Sequence, residues 1–173
     1  PTMGPVKTGG MYRLGSTLPA VSIDPHTEVT MGLAFICFIY GYLLHEIDHL
    51  QGPPTFMFDH AESVEQPDEL TYVFKLRQGI RFHDLPPVNG REVTADDVKW
   101  SLDRFMTKSG FRARFDPVQS VDAVDKYTVR ITLKEPNAPF LNHLANPSYT
   151  AIMPKEAEAQ FKEVNEAYED LKD

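Results

Sequence analysis

Three features of this 173-residue sequence predict an α+β fold, a mixed sheet of hairpins with packed helices. Two stretches, 60–77 and 118–134, alternate apolar and polar residues with a period of two and each contains a turn signal. A third stretch, from Thr94, opens like a capped helix and carries one apolar face. The order of these elements mixes hairpins with helices and lacks the regular strand–helix alternation of a parallel α/β domain.

Taken in chain order, "MYRLGST" (11–17) reads as a short strand after the Gly9-Gly10 break. "LPAVSIDPHT" (18–27) reads as an irregular loop, because Pro19 and Pro25 interrupt pairing. Thr30 can cap a short helix through the apolar run that follows, ending near Gly41. Whether that helix continues into 43–49 stays open, since one glycine is tolerated within a helix. "HAESVEQ" (60–66), the turn "PDEL" and "TYVFKLR" (71–77) form a hairpin in which Tyr72, Phe74 and Leu76 share a face. "IRFHD" (80–84) is a short strand or extended loop before the proline-rich "LPPVNG". Thr94 and Asp97 make a capping-box-like start, and Val98, Leu102, Phe105 and Met106 form one stripe, with Trp100 pointing away from it. "VQSVDAV" and "YTVRITLK" make a second hairpin turning at Asp125-Lys126, and a short helix follows Pro139. The tail from Lys155 carries Ala157, Phe161, Val164, Tyr168 and Leu171 at helical spacing, a seam only about two heptads long that suits packing on its own domain.

Composition narrows the function classes. Seventeen basic against 25 acidic residues give a net charge of −8, which argues against nucleic acid or an anionic membrane surface as partner. A single cysteine, Cys37, excludes an internal disulfide framework, and its apolar neighbours "FICFIY" suit an inert buried thiol. The uncharged run Met31 to Leu44 falls short of the roughly 18 residues of a membrane span. The chain opens with Pro1 and reads as a piece of a longer protein.

One short word suggests an enzyme. His45, Glu46 and His49 spell H-E-x-x-H within "LLHEIDHLQG". On a helix, residues four apart share a face about 6 Å apart, so two imidazoles can grip one zinc while the glutamate activates its water. On a strand the two histidines would stand about 13 Å apart, beyond the reach of one ion. The motif therefore depends on whether 43–49 is helix or strand.

A much longer stretch, "LTYVFKLRQGIRFHDLPPVNGREVTADDVKWSLDRF" (70–105), carries a resemblance. Together with Ala61-Glu62-Ser63-Val64-Glu65, Phe82-His83-Asp84 and Val93 through Arg104, it resembles the substrate-binding proteins of peptide, oligopeptide and nickel ABC transporters, solute-binding family 5. The family pattern runs A-E-S-W-E, then L-T-Y-x-F-x-L-R-x-G-[VI]-x-F-H-D, then [LV]-T-A-[ED]-D-V-x-[FWY]-S-x-x-R. Asp24-Pro25-His26 and "DKYTVRITLKEPNAPFLNHLA" also match family segments, whereas Val64 stands where the family usually has tryptophan.

The resemblance implies a fragment of the first lobe of a two-lobed, periplasmic-binding-protein-like (class C) receptor. Residues 1–28 would supply the leading strand and loop of that lobe and 29–173 its α+β subdomain, with the second lobe absent from this chain. It implies a binding protein that is not an enzyme and needs no cofactor or resident metal. As a monomer it would hold an oligopeptide or related small solute between two lobes and deliver it to the membrane permease of an ABC importer. Such a receptor is periplasmic or extracellular, and a lipoprotein anchor in the full-length form is left open. Within the chain, Thr17, Glu28 and Val29 follow the first strand, where family members line the cleft, and are the ligand-binding candidates. The family pattern also places 43–49 on a strand and turn, which makes H-E-x-x-H a coincidence. The competing readings are a zinc hydrolase with His45 and His49 as ligands and Glu46 as base, and an interaction domain that uses the tail seam.

Overall fold

The computed structural model describes residues 24–27, 39–48 and 55–160. The strand at 11–17, the Thr30-capped helix, Cys37, His49 and the tail seam beyond 160 lie outside the described residues. Ten elements follow in order. Strands β1 (Leu44–Asp48), β2 (Thr55–Phe58), β3 (Ala61–Asp68) and β4 (Thr71–Leu76) precede helix α1 (Ala95–Lys108) and a 3₁₀ turn at Arg112–Phe115. Strands β5 (Val118–Asp125) and β6 (Thr128–Leu133), helix α2 (Phe140–Ala145) and a 3₁₀ turn at Lys155–Ala157 complete the series.

The two hairpins join side by side. Their four-stranded sheet has the order β3-β4-β6-β5, with every neighbouring pair antiparallel, and β1-β2 form a separate antiparallel pair. The central pairing sets Tyr72 opposite Ile131 and Phe74 opposite Val129, so the period-two faces of both hairpins coincide. The first turn is tighter than "PDEL" suggests: Pro67 and Asp68 belong to β3, and Glu69-Leu70 make the turn. Proline is compatible there because β3 is an edge strand.

Helix α1 lies over this shared face, chiefly against β5. Its backbone starts where the sequence predicts: Thr94 N and Thr94 Oγ1 both donate to Asp97 Oδ2, at 2.9 and 3.0 Å. Val98, Leu102 and Phe105 are buried with Phe74, Val121, Val129 and Leu133 in one core. Phe115 and α2 close the end, with ring centroids 5.1 Å apart for Phe105–Phe115 and for Tyr72–Phe140. Trp100 stays off the apolar stripe, with the Arg104 guanidinium 5.7 Å from its ring centre.

Helix α1 also buries a second, polar stripe. Asp97, Ser101 and Arg104, at spacings of four and three, are all buried. Asp97 takes a two-pronged ion pair from Arg91, which also binds both oxygens of Glu156 and the Glu92 carbonyl. Ser101 Oγ donates to the Met153 carbonyl at 3.1 Å, and Met153 N lies 2.9 Å from the same Oγ. These contacts clamp the segment 150–158 along the helix and satisfy polar groups that burial would otherwise penalise.

Candidate functional site

Residues 43–48 settle the zinc question through their backbone. β1 is extended and pairs with β2, setting His45 opposite Met57 and Glu46 opposite Phe56. Adjacent strand residues point to opposite faces, so Glu46 cannot attend a metal on the His45 face as it would on a helix. The two side chains have separate tasks. His45 Nε2 lies 3.4 Å from Asp59 Oδ2, and Asn142 Nδ2 donates to Glu46 Oε1 at 3.0 Å. Asp59 gathers further contacts, with His60 Nδ1 at 3.4 Å and the Tyr42 backbone N–H at 2.8 Å. Burial would raise the Asp59 carboxyl, but the bond from His60, the Tyr42 N–H and the nearby imidazoles outweigh it and hold the group below its ordinary range. Among the described residues, no group of three or more His, Cys, Asp or Glu is placed to hold a metal ion.

The three ligand-binding candidates, Thr17, Glu28 and Val29, lie outside the described residues. What is placed is the segment 24–27, and it is strongly anchored. Asp24, Pro25 and His26 are buried. Arg104 reaches across 80 residues of sequence to bind both oxygens of Asp24, Nη1 to Oδ1 at 2.8 Å and Nη2 to Oδ2 at 2.6 Å. Its Nε is taken by Glu158. The His26 backbone N–H closes a local turn on Asp24 Oδ1 at 3.0 Å, and His26 Nε2 lies 2.8 Å from the Ala151 carbonyl. The ring packs edge-on against Phe105, with centroids 5.8 Å apart.

Electrostatics match this geometry. Burial alone would push the Asp24 carboxyl up, but the Arg104 bonds and charge overcome it and hold the acid ionised, below its ordinary value. Arg104 is likewise penalised by burial, and its bonds to Asp24 and Glu158 more than restore its proton affinity. Burial lowers the His26 imidazole to about 4, with the Arg104 charge in the same direction, so the ring is neutral at pH 7. A neutral ring bonded to a carbonyl at Nε2 carries its proton there, which leaves Nδ1 as a buried acceptor without a partner among the described residues. Tyr40 senses the same anion: burial first, then the Asp24 charge, pushes its hydroxyl up to about 12.

Asp24, His26 and Arg104 all stand in sequence motifs quoted above, yet their mutual contact was not predicted. The signal that could have found it is the polar stripe Asp97, Ser101, Arg104 beside the apolar one, since an arginine buried on such a stripe needs a buried anion. What the arrangement can do is mechanical. It fixes Asp24 and His26 onto α1 and the Ala151 carbonyl.

Comparison with known proteins agrees in sequence and in shape. Residues 56–169, more than half of the chain, match the family model described as bacterial extracellular solute-binding proteins, family 5 middle. The glutathione-binding protein GsiB of Escherichia coli O1:K1 is 38% identical over 108 residues, 60% of this chain and 20% of that protein. Among solved structures, MoaA from A. tumefaciens R10 in complex with mannopinic acid superimposes with a TM-score of 0.70 at 32% identity, covering 86% of this chain and 30% of the other. The ABC transporter-associated periplasmic binding protein DppA of Helicobacter pylori, in complex with the peptide STSA, gives a TM-score of 0.63 at 29% identity, covering 86% and 31%. The chain thus spans about a fifth of the length of the curated relatives it matches. With the capped α1, the joined hairpins and this match over most of its length, the chain belongs to family 5 of the bacterial extracellular solute-binding proteins.

Proposed function

We propose that this chain is the N-terminal part of a solute receptor of an ABC importer, with residues 1–28 contributing the leading strand and loop of the first lobe and 29–173 its α+β subdomain. The solute is an oligopeptide or a related small molecule, held between this lobe and a second lobe that lies beyond the chain and presented to the membrane permease. The receptor works outside the cytoplasm, in the periplasm or at the cell surface, and performs no catalysis. The observation that carries this reading is the match over 56–169 to the family of extracellular solute-binding proteins. Relatives that hold glutathione, a peptide and mannopinic acid set the range of solutes to test.

Within this reading, Thr17, Glu28 and Val29 line the solute cleft. The Asp24–Arg104 anchor between them supports this role, because a cleft wall must be held rigid while the lobes close. Thermal denaturation of the full-length protein against tri- and tetrapeptides, glutathione and opine-type sugar acids tests the assignment. A binder at one hundred times its Kd stabilises by about 2.7 kcal/mol, an easily visible shift. A full-length protein shifted by none of these classes, or one that hydrolyses a peptide, would overturn it.

A further inference from the structure

A cavity of about 460 Å³ opens beside the loop 80–88, bounded on its other side by the bridged residues Gly41 and Ile152. Its size falls within the range of small-molecule sites. Gly41 is required there by close approach: a Cβ at that position would stand 1.8 Å from His60 Cε1, so the imidazole rests directly on the glycine backbone. The walls are largely apolar, with Ile80, Phe82, Pro86 and Ile152 among them. Leu85 on the lining is 66% exposed, a large apolar surface that an occupant would cover.

The charge of the lining is what identifies the occupant. In a chain of net charge −8, none of the sixteen lining residues is acidic, whereas Arg81, His60 and His83 are all among them. Arg81 spends Nη1 on the Gly90 carbonyl at 2.8 Å. Glu92, bridged to Arg81 across the loop, is engaged elsewhere: it accepts from Gly79 N at 2.7 Å, Lys126 Nζ at 2.7 Å and Tyr127 OH at 2.9 Å. A guanidinium on a cavity wall that holds no carboxylate among the described residues attracts an anion, and the surrounding rings and prolines favour an apolar body attached to it.

We infer that this cavity is a binding site for a small apolar carboxylate, with the acid on Arg81 and the apolar body against Phe82 and Pro86. All the residues named for it lie within this chain.

Titration of the 173-residue chain with N-acetyl-L-phenylalanine and with its uncharged amide, followed by backbone amide NMR shifts, tests the assignment. The expected result is movement confined to the lining at 39–41, His60, 80–88, Ile152, Ala157 and Gln160, with the acid bound about tenfold more tightly than the amide, equivalent to about 1.4 kcal/mol. Arg81→Gln should bring the acid down to the amide's affinity and leave the amide unchanged. Phe82→Ala should weaken both, and Lys134→Gln, a cation that does not line the cavity, should change neither. Equal binding of acid and amide, a preference that survives Arg81→Gln, or shifts lying elsewhere would overturn the inference.

Discussion

Arg104 and Asp24 form a fully desolvated ion pair, with side chains 7% and 2% exposed. Attraction in such a place repays desolvation only while both partners are present. Arg104→Gln should cost about 3–5 kcal/mol in urea titration, because it removes the charge that offsets burial of the Asp24 carboxylate, and Asp24→Asn should cost less, because Glu158 still pairs with Arg104. The double variant should cost less than the sum of the two. His26 adds an acid-sensitive contribution. Folded, it titrates near 4 against an ordinary 6.5, so between those values the unfolded chain binds more protons. Stability therefore falls as pH drops through that window, by at most about 1.4 kcal/mol per pH unit and on the order of 3.5 kcal/mol in all. Asp24 acts in a different window: its contribution is complete above its ordinary 3.8 and is lost as pH falls through its lower folded value. His26→Gln should flatten the stability profile from pH 6.5 to 4.5 while leaving a steep loss below 4. An unchanged profile would show that His26 is not the titrating group.

Among the elements, α1 is the most consequential. Leu102 is 3% exposed at the centre of its apolar stripe, and Leu102→Ala should leave a cavity costing about 2–5 kcal/mol. From sequence, Lys99 belongs to a charged face where alanine should cost less than about 0.5 kcal/mol. The structure revises this. Lys99 Nζ reaches Asp103 at 2.7 Å and the Val121 carbonyl of β5 at 2.8 Å, tying helix to sheet. With the pair about half exposed, Lys99→Ala should cost about 0.5–1 kcal/mol, still well below Leu102→Ala in denaturant titration. β1 gives the other element-level test. Since 44–48 is a strand, purified chain should carry well under one zinc, and His45→Ala should leave metal content unchanged. About one zinc per chain, abolished by that substitution, would contradict the strand's chemistry as derived above.

At the level of the whole molecule, the described core closes on itself. One cluster runs from β1 through both hairpins, α1 and α2 to Ile152. The 173-residue chain should therefore unfold cooperatively, with far- and near-UV probes giving coincident transitions. On the proposed function, a solute cleft between two lobes needs both walls, so micromolar oligopeptide should leave the chain's melting temperature unmoved, whereas the full-length protein should shift. A clear shift in the chain alone would show that one lobe suffices.

By itself, the sequence determined the local elements and, through them, the family. Period-two alternation in 60–77 and 118–134, and the Thr94–Asp97 cap ahead of an apolar stripe, are short-range constraints that a linear reading captures. The H-E-x-x-H word shows where such a reading stops. Residues four apart share a face on a helix and on a strand alike, so His45 and His49 are compatible with either, and pairing of β1 with β2 decides for strand over 44–48. The tertiary structure alone placed Asp24 on Arg104, turned Lys99 onto β5, and brought Gly41, His60, Arg81 and Ile152 around one cavity. Each of these contacts joins residues far apart in the chain, and burial strengthens the electrostatic ones by excluding water, a condition that no local pattern of residues encodes.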